Sequence, residues 1–272
     1  MEIGELERRA REIRRLILKT LNTSQAGHPG GSLSAADILT ALYFRVMQID
    51  PDRPEWDDRD RFVLSKGHAA PVYYCTLARR GYFSVGELAT LDLLNSRLQG
   101  HPDMRKTPGV DMSSGSLGQG ISVAVGMALG AQMADRDHHV YCLLGDGECQ
   151  EGQVWEAAMS AVKFGLENLT VIVDWNGLQL MAPVSEAMPL GDLEAKWRAF
   201  GWDLLVVDGH DMAALVAALE SPCRPGIPRV ILARTVKGKG VSFMENRVEW
   251  HSNAVSAERL ARALAELEEV GA

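Results

Sequence analysis

HVYCLLGDGE (139–148) and LTVIVDWNGL (169–178) are built alike: each is an apolar run of strand length that ends in a polar, glycine-containing turn. Neither run alternates apolar with polar residues, which is the pattern of strands buried on both faces, as in a parallel sheet covered by helices. Val154 to Phe164, between them, has helical spacing. The same alternation extends outward. Gln119 to Met133 reads as a helix whose many Gly and Ala residues allow close packing, and RFVLS (61–65) as a short buried strand. Downstream, Leu193 to Phe200, Trp202 to Val207, Met212 to Leu219 and Arg229 to Ala233 continue as helix, strand, helix, strand. The fold class expected is α/β, a three-layer α/β/α arrangement around a mainly parallel sheet.

The flanks add helices. Ile13, Leu16, Ile17 and Leu21 recur at helical spacing, and AGHPGGS (26–32) breaks that first helix. A second is expected over Ala35 to Met47, ended by Asp50-Pro51, others from about Pro71 and near Ser84 to Leu94, and an amphipathic one over Ser256 to Val270. There is no repeat and no long linker, so one domain is expected over residues 1–272.

Composition narrows the function classes. With 46% hydrophobic and 24% charged residues the chain is an ordinary globular one, and its formal net charge of -8 argues against nucleic acid or an anionic membrane as main partner. No apolar run is long enough to cross a bilayer, and the charged start lacks the apolar core of a secretory signal. Cys75, Cys142, Cys149 and Cys223 form no CxxC pair. They read as free thiols of a cytoplasmic protein.

In an open parallel sheet, ligands bind beyond the carboxyl ends of the strands. Gly145 and Gly147 there let a phosphate approach the backbone, and the helix that follows offers free N–H groups. Asp146 supplies the hard anionic oxygen that Mg²⁺ prefers. Taken alone, the triplet fits a tight turn equally well. The next strand, however, ends at Asn176, whose amide oxygen a neighbouring parallel strand brings close to Asp146. The Leu178 carbonyl just beyond can complete the protein's share of an octahedral shell, the rest coming from diphosphate oxygens and water.

A GDG triplet followed about thirty residues later by Asn resembles the thiamine-diphosphate motif. The rest of the chain resembles the N-terminal domain of transketolase. The segments that carry this resemblance are AGHPGG (26–31), LSKGH (64–68), GHP (100–102), GSLGQG (115–120), the GDG–Asn pair, TVKGKG (235–240) and Trp250-His251. They cover nearly the whole chain. One departure is Trp175, where the family commonly has Asn or Asp before the last Asn.

The resemblance implies a thiamine-diphosphate-binding fold, specifically its diphosphate-binding domain, with thiamine diphosphate and Mg²⁺ (or Ca²⁺ or Mn²⁺) as cofactors. It implies that His28, His68, His101 and His251 line the substrate channel. Lys66, His68 and Lys237, the turn Gly115-Ser116-Leu117, and Asp146, Gly147, Glu148 and Asn176 fall on the cofactor side. Asp146, Asn176 and Leu178 would hold the metal. Glu151 and Glu156 would join a carboxylate network across a subunit interface. His138, His139 and His210 have no such support and read as surface or loop residues.

The carboxylate that activates the aminopyrimidine lies, in this family, on another domain. The chain therefore resembles the N-terminal subunit of a split transketolase, whose C-terminal subunit carries the pyrimidine-side Glu in an α₂β₂ heterotetramer. The implied reaction moves a two-carbon ketol unit between sugar phosphates, and the groups that grip the distal phosphate lie mostly on the other subunit. Rival readings are half of a 2-oxoacid dehydrogenase or deoxyxylulose-phosphate synthase, and a non-catalytic scaffold that keeps the fold. A nucleotide-binding α/β protein is disfavoured, since neither GxxxxGK[ST] nor a post-strand GxGxxG occurs.

Overall fold

A computed structural model describes residues 1–269. Its centre is a five-stranded parallel sheet in the order β1-β2-β3-β5-β4, formed by β1 (Arg61–Leu64), β2 (Val140–Gly145), β3 (Leu169–Trp175), β4 (Asp203–Asp208) and β5 (Arg229–Arg234). Each strand sends alternate residues to opposite faces. Cys142, Val171 and Val230 are in register and join one core, as do Leu144, Val173 and Leu232; Leu143, Ile172 and Ile231 join the other. Both faces are dry along β2, β3 and β5, which is why these strands read as unbroken apolar runs, while the edge strand β4 is half-buried.

One face is covered by α5 (Gln119–Met133), α6 (Gly152–Lys163) and α8 (Leu193–Ala199). The other is covered by α1 (Ile3–Ser24), α3 (Ala36–Ala41), α4 (Ala70–Arg80), α9 (Met212–Glu220) and α10 (Ala257–Glu269). The switch of faces follows from topology. The chain moves across the sheet in one direction through β2, β3 and β4, then steps back to β5. Connections of one hand must lie on opposite faces when the direction reverses, and α9, the connection from β4 back to β5, lies opposite α6 and α8.

Several expected elements are corrected. The break at 26–32 is shorter, because α2 (Pro29–Ser34) is helical and completely buried. Pro29 opens it, where a missing N–H costs nothing. Gly30 is needed there, since a Cβ would lie 2.7 Å from the Trp250 carbonyl oxygen. The helix expected over 35–47 starts at Ala36 and ends in a π-helical turn, Leu42–Val46. The helix expected near 84–94 is only a 3₁₀ segment, Val85–Thr90, capped by Ser84 and Glu87. It stops because Asp92 and Asn95 take positive φ and Leu94, 92% exposed, has nothing to pack on. A short helix, α7 (Val184–Ala187), was not anticipated. The closing helix begins at Ala257, and Val270 lies outside the described residues.

The helix expected over 119–133 is found at those bounds, and its close approach to the sheet is real. A Cβ on Gly120 would fall 2.5 Å from the Ser65 Cβ and 2.7 Å from its Cα, at the end of β1. Gly120→Ala must push α5 away from that strand. A loss of ~1–3 kcal/mol in urea denaturation is expected, the usual cost of overpacking; an unchanged midpoint would mean that the helix does not rest on Ser65.

Candidate functional site

The carboxyl ends of β1, β2, β3 and β5 lie along one edge of the sheet, and their loops are bonded to one another. Lys66 N–H donates to Leu143 O, Asp146 N–H to Asp174 O, Thr235 N–H to Trp175 O, and Gly238 N–H to Gly30 O. They enclose a cavity of about 270 Å³ lined by Gly31, Lys66, His68, Gly115, Leu117, Asp146, Gly147, Glu148, Asn176, Leu178, Lys237 and His251, among others. Of the residues expected on the cofactor side, only Ser116 is absent from this lining, and it is exposed.

Asp146 stands at the end of β2 and Asn176 just beyond the neighbouring β3, where Gly145 is in register with Asp174. The Asp146 carboxylate accepts from Gly147 N–H at 2.8 Å and Gly177 N–H at 2.6 Å. It makes no ion pair among the described residues. Burial pushes its pKa up to about 6, against the pull of those two amides. The Asn176 amide oxygen accepts from Leu178 N–H at 3.1 Å. The Leu178 and Gln179 carbonyls both accept from the Lys237 ammonium, at 3.1 and 3.0 Å.

Lys66 is 2% exposed and pairs with the fully buried Asp174, while also donating to Gly31 O at 3.0 Å. Asp174 accepts further from Ser34, at 2.6 Å, and from Thr235. Despite burial, which acts to raise it, the Asp174 carboxyl is held below the usual range by the Lys66 charge. Sequence reasoning did not single out this carboxylate. The signal was available: an acid closing an otherwise apolar, doubly buried strand must have a partner.

Glu148 lines the cavity but its oxygens are in use. One accepts from the Ser65 hydroxyl and from Gly118 N–H at 2.9 Å, the other from Gly145 N–H at 3.0 Å. It ties three loops together. Glu151 reaches the cavity, whereas Glu156 lies exposed on α6.

Four loops bring the expected histidines together. His28 lies 5.4 Å from His68, 6.4 Å from His101 and 5.4 Å from His251, between ring centroids, and His68 lies 4.9 Å from His251. Burial first, then the neighbouring lysines and imidazoles, lower three of them. His251 falls to about 3, His68 lies well below its ordinary value, and His28 is lowered too. Lys237, buried and facing Lys66, is itself lowered to about 8. These imidazoles are therefore neutral near pH 7. His139 and His210, expected as surface or loop residues, do lie in loops, and both are half-buried and bonded. His139 packs on Tyr141 and bonds Thr170 at 2.8 Å, and its pKa is lowered by burial to about 4. His210, though in a loop, bridges Asp37 and the Val236 N–H.

A family model described as "Transketolase, thiamine diphosphate binding domain" matches residues 6–268. The chain belongs to the transketolase family. Ketol transfer is the reaction of this family, and the matched domain is its thiamine-diphosphate-binding one. The chain is 47% identical over 269 residues to a 6-deoxy-6-sulfo-D-fructose transketolase subunit of Clostridium sp. (strain MSTE9), covering 98% of each. It is 42% identical over 270 residues to an apulose-4-phosphate transketolase subunit of Actinobacillus succinogenes, covering 99% of this chain and 98% of that one. The crystal structure of Campylobacter jejuni transketolase superposes with a TM-score of 0.92 at 32% identity, covering 98% of this chain but 43% of that one. The same architecture thus occurs both as part of a longer chain and as a separate subunit.

The lowered histidines set a pH dependence. Below the ordinary value of 6.5 the unfolded chain binds more protons than the folded one, so their contribution is complete above that pH and is lost as pH falls toward the folded values. Asp146, raised to about 6, acts oppositely, its contribution falling as pH rises from the usual carboxylate range to that value. Replacing His251 by Gln is expected to flatten the decline in urea-measured stability between about pH 6.5 and about pH 4; an unaltered slope would show that this imidazole is not shielded.

Proposed function

We propose that this chain is the diphosphate-side subunit of a two-chain transketolase that uses thiamine diphosphate and Mg²⁺ to move a two-carbon ketol unit from a ketose to an aldose. The observation that carries this reading is the convergence, in one cavity, of an acid without an ion-pair partner among the described residues, backbone carbonyls aimed at a cation, and neutral histidines. The donors suit a hard divalent ion. They are one carboxylate at Asp146, an amide oxygen at Asn176 and a carbonyl at Leu178, leaving positions for diphosphate oxygens. The Lys237 ammonium resting on the Leu178 and Gln179 carbonyls supports a cation at this point. Two glycines keep side chains out of the cavity wall: a Cβ on Gly147 would come within 3.1 Å of Gln179, and one on Gly31 within 3.4 Å of both Lys66 Nζ and His68 Nε2.

When bound, thiamine diphosphate supplies the nucleophilic carbon and the electron sink that cleavage beside a carbonyl requires. The chain's own groups do the rest. Lys66 and Lys237 present positive charge to the phosphates. The neutral imidazoles of His28, His68 and His251, with His101 beside them, take the proton from the ketose hydroxyl as its C–C bond breaks. They return one to the carbonyl oxygen of the acceptor aldose. Leu117 offers an apolar wall beside the cofactor, with Gly115 allowing close backbone approach.

The pyrimidine-side Glu would come from a C-terminal partner subunit, in an α₂β₂ assembly. Two relatives of this length are named as subunits, which supports a partner. So do the apolar side chains exposed near the cavity mouth, Leu180 at 53% and Met181 at 79%. No helix among the described residues is long and apolar enough to cross a membrane, and a cytoplasmic location fits the free thiols. A donor sugar with an anionic tail is favoured by the sulfonated and phosphorylated sugars in those relatives' names.

The test is reconstitution with the companion chain. On its own the purified subunit is expected to bind Mg²⁺–thiamine diphosphate weakly and to show no ketol transfer, while the complex turns over; substantial turnover by the single chain refutes the split-site reading. In the complex, Asp146→Ala is expected to weaken cofactor binding by two orders of magnitude or more, on the order of the cost of losing a buried charged partner. The metal-free subunit should meanwhile melt close to wild type, because removing a buried charge with no ion-pair partner among the described residues offsets the loss of its bonds to the Gly147 and Gly177 amides. Calorimetry showing undiminished affinity would exclude Asp146 as a ligand.

A further inference from the structure

His210 lies outside the cavity and touches none of the groups assigned above to metal or substrate, yet it sits in a buried chain of bonds that ends at the cofactor loop. The chain starts on α1. Arg14, 6% exposed at its side chain, grips Asp37 of α3 with two guanidinium nitrogens, at 3.0 and 2.5 Å, and donates to Leu33 O at 3.3 Å. Asp37 is thereby fixed as a carboxylate. Its Oδ2 lies 2.7 Å from His210 Nδ1, and His210 Nε2 lies 2.8 Å from the Val236 N–H. An amide N–H can only donate, so Nε2 must be bare and Nδ1 must carry the proton that goes to Asp37. The imidazole has one orientation and one tautomer.

Val236 is the middle residue of a segment held at every position. Thr235 N–H donates to Trp175 O at 3.1 Å and its hydroxyl bonds Asp174. Gly238 N–H donates to Gly30 O at 3.0 Å, and Lys237 Nζ reaches Leu178 O, Gln179 O and His251 Nδ1, the last at 2.9 Å. Further on, the same loop passes close to Leu267 and Arg14, so that a Cβ on Gly240 would meet Leu267 Cδ2 at 2.9 Å and Arg14 Cδ at 3.4 Å. The residue before Lys237 is anchored by His210 alone among side chains in the described residues. A rotation there would swing Lys237 off the two carbonyls.

We propose that His210, oriented by the Arg14–Asp37 pair, is a positioning residue that sets where Lys237 enters the cofactor pocket. It acts through the Val236 N–H and does not touch the cofactor. This rests on the reading of the pocket as a thiamine diphosphate site.

Two near-isosteric replacements divide the two hydrogen bonds. In His210→Gln the side-chain oxygen falls near the Nε2 position and still accepts from Val236 N–H. In His210→Asn the amide nitrogen falls near Nδ1 and still donates to Asp37, but Val236 loses its acceptor. In the reconstituted two-chain enzyme, His210→Asn is expected to weaken thiamine diphosphate binding by about tenfold or more in calorimetry, the consequence of a stranded buried N–H. Amide exchange across residues 235–240 should quicken with it. His210→Gln should stay within about threefold of wild type in affinity, with exchange unchanged. A purely structural role predicts instead that both variants lose melting temperature and affinity together, or that Gln is the worse because it abandons Asp37; either result overturns the proposal. If wild type itself fails to bind the cofactor, the underlying reading falls, and the exchange difference between the two variants still decides the role of His210.

Discussion

Lys66 and Asp174 form an ion pair at the carboxyl edge of the sheet with essentially no contact with water, at 2% and 0% side-chain exposure. Removing two charges from water costs several kcal/mol per ion unless their remaining hydrogen-bonding capacity is also met. Here it is met by Ser34, Thr235 and the Gly31 carbonyl. Those partners come from α2 and the loop after β5, and the pair itself from the loop after β1 and from β3. One electrostatic demand therefore fixes the relative positions of four segments, three of which line the cavity. The Asp146 carboxylate beside it is left with amide donors only. The difference between these two buried acids, one matched internally and one not, is what makes the edge a site.

The same economy holds around Glu148 and the histidines. Glu148 has its oxygens filled by Ser65, Gly118 and Gly145, so the loops after β1 and β2 and the start of α5 cannot shift independently. Burial first, and then the lysines that would face a diphosphate, keep the nearby imidazoles neutral, since a second positive charge at that distance is disfavoured. A neutral ring can give or accept a proton, and proton movement at hydroxyl and carbonyl oxygens asks for that.

Much of this was legible in the sequence, for definable reasons. Strands β2, β3 and β5 are flanked by layers on both sides, so their apolar runs had no competing pattern, and the expected ends fell within a residue or two of those observed. Asp146 and Asn176 could be named from the glycine-containing turns that end two neighbouring strands, whereas Lys66, Lys237 and the four clustered histidines were named through the family resemblance of the segments that carry them. What escaped was set by tertiary contact. Pro29–Ser34 reads as a breaker by composition and is helical because it is wholly enclosed. Leu91 to Leu94 reads as helix by apolar content, and two residues with positive φ end that helix early. Asp174 and His210 gain their roles from partners far away in sequence, Lys66 and Asp37 respectively, which no local pattern records.

Because Asp174, Glu148 and His210 already bond the loops to one another, the disorder those loops would otherwise possess is surrendered when the chain folds. A ligand that enters afterwards finds little left to organise on this side. Its affinity is then set by contacts and desolvation, free of the half to one and a half kcal/mol, roughly, that each newly immobilised side chain would subtract.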